Sequence, residues 1–238
     1  MAEAKKMPVW AILKSALSHC CDHPLFFAVF VLAHTALLAV TFVCTADGAR
    51  LGLWLFYYLF WCLFFRRLFN RKPYFFTRKL FITIVPFVKM WFMASLFAGL
   101  LFVLPLIVPF FGIGRQWAAD YENYLYRYME TGSLVDFGTI LLLLLSSPFL
   151  FWRPITAWIA AINGRSGSMR FAFARTNGNY WRFVALSLFF AAAATVLTMP
   201  FYAFSLPLWP VAFTASVLAV CLGIVLAEVY NFFFLEID

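Results

Sequence analysis

Acidic side chains are scarce in this chain: 10 Asp and Glu stand against 18 Lys and Arg in 238 residues, and charged residues of both signs make up only 12%. So little charge cannot coat a soluble domain. With 65% hydrophobic and 21% aromatic residues, there is also more apolar surface than one soluble core of this length can hide. A water-soluble globular fold is therefore excluded, and lipid is the expected solvent. Cysteine is sparse too. Cys20, Cys21, Cys44, Cys62 and Cys221 are odd in number, and three lie in apolar stretches where a thiol acts as a small hydrophobe, so no disulfide framework is implied. No apolar run with a small-residue cleavage site precedes Leu25, and the first span is expected to act as its own insertion signal. Catalytic signatures are missing: there is no G-x-S-x-G, no H-E-x-x-H, no Gly-rich phosphate loop and no D-x-x-D pair. That points away from an enzyme and implies no cofactor.

What the chain does have is length of apolar sequence. A spanning helix needs about 20 apolar residues to cross about 30 Å of hydrocarbon with its backbone satisfied internally. Six stretches qualify, at about 25–44, 51–65, 87–110, 135–151, 183–204 and 211–233. The fourth can continue through Pro154 to Ile162 as a kinked or shallow helix. The expected fold is all-α, a single integral membrane domain over 1–238, with six spans in three hairpins.

Orientation follows from where the few charges sit. Arg66, Arg67, Arg71, Lys72, Arg78 and Lys79 crowd the break after the second span without an acid. Arg165, Arg170, Arg175 and Arg182 do the same after the fourth. Both breaks are expected on the cytoplasmic side, against anionic lipid head groups. Asp120, Glu122, Glu130 and Asp136 collect in the opposite break, so both termini are expected inside. The net charge of +8 does not point to nucleic acid, because no soluble domain presents it. Residues 7–23 read as an interfacial amphipathic helix, with Val9, Trp10, Leu13, Ala16 and Leu17 at helical spacing opposite Lys14, Ser15 and Ser18. Similar stretches precede the third and fifth spans, which suggests a threefold repeat of interfacial helix plus hairpin. The aromatic loop 114–134 is expected to lie flat on the outer surface.

The string Asn177-Gly178-Asn179-Tyr180-Trp181-Arg182, leading directly into an apolar hairpin, resembles a pattern in six-span bacterial inner-membrane proteins, including the YciC-like family and the membrane domain attached to some glycerophosphodiesterases. The resemblance implies a bacterial inner membrane and a non-catalytic integral domain. The hydrolase domain of the phosphodiesterases is absent, and no catalytic residue carries across.

Three groups of residues are candidate sites. Ala215, Ala219, Gly223 and Ala227 recur every four residues in the last span, a spacing that lets two helix backbones approach closely. Ser187, Ala191 and Thr195 offer a facing stripe in the fifth span; one reading is a hairpin seam, the other a face that docks a further subunit or a second copy. His34, Lys89, Arg153 and Glu228 are ionisable residues within apolar spans, where a charge is costly and a partner is expected. Glu228 can pair with Lys89 or Arg153, and three of the four share one leaflet. The cluster His19-Cys20-Cys21-Asp22-His23 contains metal-ligand residue types, but only His19 and His23 share a helix face and no second cluster completes a tetrahedral site. No metal is expected. Two functions fit: an accessory, scaffold or assembly subunit of a membrane complex, or a small transporter or channel using Lys89, Arg153 and Glu228.

Overall fold

The computed structural model describes residues 6–43, 47–69, 83–92, 141–142, 144–165, 167–203 and 208–234. The expected span over 93–110, the start of the fourth span, the loop 114–134 and the basic residues Arg71, Lys72, Arg78 and Lys79 lie outside the described residues. Among those described, every regular element is helical. Three helices are long and apolar enough to cross a membrane, over Pro24–Thr41, Tyr180–Leu197 and Trp209–Phe234.

The first helix, α1 (Val9–Asp22), is amphipathic and stops where Pro24 begins the next; the His23 N–H closes the last turn on the His19 carbonyl. Its buried face differs from the expected one. Ile12 and Ala16, one turn apart, point inward, while Trp10 and Leu17 are 77% and 66% exposed. Residues 10 and 17 are two turns apart on a flank, and that flank faces outward. Helix α2 (Pro24–Val43) starts on its proline, whose missing N–H would have had no partner in a first turn. Helix α3 (Asp47–Leu68) runs past both ends of the expected second span, with Arg66 and Arg67 in its last turn, where cations suit the helix dipole. A shorter apolar helix, α4 (Thr83–Phe92), follows.

The expected kink at the end of the fourth span is a π-helical turn, Pro148–Trp152, in which the Arg153 N–H reaches back five residues to the Pro148 carbonyl. It runs straight into α5 (Arg153–Ile162). The widened turn falls just before Pro154, where an α-helical bond is lost in any case. Helix α5 is buried almost all round, a core element rather than the frayed end of a span. It closes in a Schellman motif: Gly164 takes φ 79°, its N–H bonds the Ala161 carbonyl, and the Arg165 N–H bonds Ala160. A short helix α6 (Met169–Arg175) and a turn with Gly178 at φ 77° lead into α7 (Tyr180–Ala203) and then α8 (Leu208–Phe234).

Helix α8 is the hub. It packs against α1, α2, α3, α5 and α7, and lies most extensively along α2. Rings fill the space around it: Phe65 and Phe87 meet Trp158 at 5.9 and 4.9 Å, and Phe183 meets Phe233 at 6.1 Å.

Candidate functional site

At mid-span, α2 carries His34, only 2% exposed. Its Nδ1 lies 3.0 Å from Ser216 Oγ on α8 and its Nε2 lies 2.7 Å from the Tyr57 hydroxyl on α3. The serine settles the proton positions. Ser216 has one hydroxyl proton and donates it to the Ala212 carbonyl, 2.7 Å away, so toward His34 its oxygen accepts. His34 therefore carries its proton on Nδ1, and Nε2 accepts from Tyr57. The chain from Tyr57 through His34 and Ser216 to Ala212 uses both imidazole nitrogens and ends on a backbone carbonyl. Tyr57, Phe60 and Trp61 pack against the imidazole at 5.3 to 5.7 Å between ring centroids. Three helices are pinned by one neutral side chain, an arrangement suited to interhelical specificity.

The other ionisable residues expected within apolar spans are not brought together. Arg153 is 7% exposed, and its guanidinium lies 4.9 Å from the Phe149 ring and 5.0 Å from the Phe173 ring. Cation–π contact with two faces takes the place of the expected carboxylate. Lys89 is exposed on α4, and Glu228 is half-buried. The expected pairing of Glu228 with Lys89 or Arg153 is thus corrected: Glu228 sits in the field of His19, across the α1–α8 contact. His19 is held below its ordinary value of 6.5, first by burial and then by His23, with Glu228 and Asp22 opposing.

The rest of the His19–His23 segment is divided among several neighbours. The two histidine rings meet at 4.8 Å between centroids, tilted by 57°. Ser18 donates to Asp22, Cys21 is exposed, and the Cys20 thiol turns to α8 and hydrogen-bonds Cys221. That bond, with burial, pushes the Cys20 thiol well above its ordinary range. Among the described residues no group of three or more His, Cys, Asp or Glu is placed to hold a metal ion.

The small-residue stripe of α8 meets a different partner from the one expected. A Cβ at Gly223 would lie 2.7 Å from Trp61 and 2.8 Å from Phe64, so the close approach is to α3. Ala227 is buried, Ala215 and Ala219 are half-buried, and the fully covered small positions include Ala212 and Ser216. The facing stripe on α7 does not form: Ala191 and Thr195 are exposed, while Ser187 bonds Ser147 and accepts from the Trp152 indole, each at 2.7 Å.

Several arginines expected at lipid head groups also cap helices. Arg66 is buried and donates to the Ile162 carbonyl at 2.8 Å. Arg165 donates to the Phe234 carbonyl. Each satisfies a C-terminal carbonyl that has no partner within its own helix. Arg175 lies over the Phe171 ring and Arg182 donates to Asn179, whereas Arg67 and Arg170 are exposed. Asn179, buried, accepts from the Met7 N–H at 2.7 Å and ties the segment before α1 to the start of α7. These contacts, with Phe26 on Phe64 and Phe69 on Tyr230, gather the ends of α3, α5 and α8 and the starts of α2 and α7 at one end of the bundle. The chain matches no family model, no curated protein and no solved structure with which it was compared.

Proposed function

We propose that the chain is a non-enzymatic integral membrane protein of six spans, an accessory or scaffold subunit of a larger assembly in a bacterial inner membrane with both termini in the cytoplasm. The observation that carries this reading is the closed His34 network. A conducting or proton-relaying site needs a polar route that continues through the bilayer, and this one terminates within a single helix turn of α8. The separation of Lys89, Arg153 and Glu228 supports the same reading. So does the gathering of basic helix ends on one side, since Arg66, Arg165 and Arg182 then lie with the cytoplasmic leaflet. Anionic lipid and other membrane subunits are the partners of this reading, and the YciC-like resemblance is in keeping with it.

The test is purification from native membranes in mild detergent, followed by identification of co-purifying subunits. The expected result is a stable partner that survives Glu228→Gln and is lost with Gly223→Leu. A liposome flux assay in which the pure chain moves a solute, and fails to do so as Glu228→Gln, overturns the proposal.

A further inference from the structure

A cleft of about 370 Å³ opens between α1, α7 and α8, with its walls almost wholly apolar. Leu17 comes from the interfacial helix, Ala193 from α7 and Leu218 from α8, and the Cys20–Cys221 pair lies against it. The volume falls in the range of about 300–1,000 Å³ typical of small-molecule sites. By liquid volume it would hold about a dozen waters, yet the walls offer them almost no hydrogen-bond partner. Hydrocarbon is the compatible filling.

One polar group marks the mouth. Lys14 lines the cleft, is exposed, and has no acidic partner among the described residues. The nearest acid of its helix, Asp22, lies two turns away and is engaged by Ser18. Beside Lys14 stands Trp10, exposed at 77%, a ring that settles at the head-group layer. The mouth thus sits at the lipid–water boundary with a cation, and the body is a dry slot beneath it. We propose that this cleft holds one acyl chain of an anionic phospholipid whose phosphate is met by Lys14. The inference needs only a membrane-embedded chain and is independent of the scaffold reading.

The test uses the full chain in nanodiscs of phosphatidylglycerol and phosphatidylcholine, with retained lipid counted by native mass spectrometry after detergent exchange. The expected result is one phosphatidylglycerol retained per chain. Ala193→Phe, which fills the slot, removes it, while Leu188→Phe on the far side of α7 leaves it in place. Lys14→Gln keeps a lipid but lowers the preference for phosphatidylglycerol about fivefold, the weight of one lysine at an anionic surface. If Ala193→Phe fails to fold by circular dichroism, Leu218→Phe fills the same slot from α8. Equal retention of both lipids by the wild type, or a filled variant that retains lipid as the wild type does, overturns the proposal. So does recovery of a free fatty acid alone, or of a second copy of the chain in place of lipid.

Discussion

Gly223→Ala should destabilise this protein, although the same change in an ordinary helix interior is favourable by up to about 1 kcal/mol. The added methyl would stand 2.7 Å from a carbon of Trp61 and 2.8 and 3.2 Å from two carbons of Phe64, against about 3.5–4.0 Å for relaxed carbon contact. The Phe64 ring has no room to retreat. Phe64 is 0% exposed and is boxed by Phe26, Phe30, Trp61 and Phe65 at 5.0 to 5.7 Å between centroids. Overpacking of this kind costs about 1–3 kcal/mol, so the net loss is about 0–2 kcal/mol once a propensity gain of about 1 kcal/mol is subtracted. Gly52, also helical, has nothing within 4 Å of its Cβ position, and Gly52→Ala serves as the matched control with neutral to positive effect. Equilibrium unfolding in mixed micelles with increasing dodecyl sulfate reads both. Phe64→Leu in the Gly223→Ala background should recover part of the loss, with a coupling of about 0.5–3 kcal/mol. If Gly223→Ala stabilises as much as Gly52→Ala, the close approach of α8 to α3 is refuted.

Three further outcomes follow from the same packing. His34→Phe keeps the ring but removes two interhelical hydrogen bonds, and at about 0.6 kcal/mol each, with about 1.7 as the upper bound, should cost about 1–3 kcal/mol in the same micelle titration; adding Tyr57→Phe should cost little more, because the stranded hydroxyl goes with it. In a chain whose only cysteines are Cys20 and Cys221, copper-phenanthroline oxidation removes two hydrogens and joins α1 to α8. After cleavage at a protease site placed in 114–134, the halves should then stay together on a non-reducing gel, and separation would show that α1 does not dock there. Burial holds His19 below 6.5 in the docked state, so the undocked form binds the proton more tightly and docking weakens as pH falls through that value. Amide exchange in α1, corrected for intrinsic rate, should rise relative to α7 between pH 7 and 5, and His19→Gln should abolish the difference.

Fold class was legible in the sequence because hydropathy is local and additive. Each of Pro24–Thr41, Tyr180–Leu197 and Trp209–Phe234 declares itself by length and composition, and Pro24, Gly164 and Gly178 mark element ends wherever they occur. His34 and Arg153 stood out as ionisable residues in apolar surroundings. Their partners did not. Tyr57 and Ser216 are ordinary in composition, and nothing near Phe149 or Phe173 announces a guanidinium between two rings. Asn179 was visible as part of a turn but not as the residue that binds the Met7 amide 172 positions away.

The reason lies in the solvent. In water, a helix marks its buried face with an apolar stripe; lipid removes that contrast, so α2, α3 and α7 are apolar on nearly all sides and carry no mark of which side meets a neighbour. The sequence by itself determined that the chain is helical, carries stretches long and apolar enough to cross a membrane, and is basic at particular breaks. Only the tertiary structure decided that α8 is the hub, that its glycine faces α3 rather than α7, and that Arg66 caps α5. Those choices rest on ring shape and hydrogen-bond reach between segments far apart in the chain, and no local property of a single span encodes them.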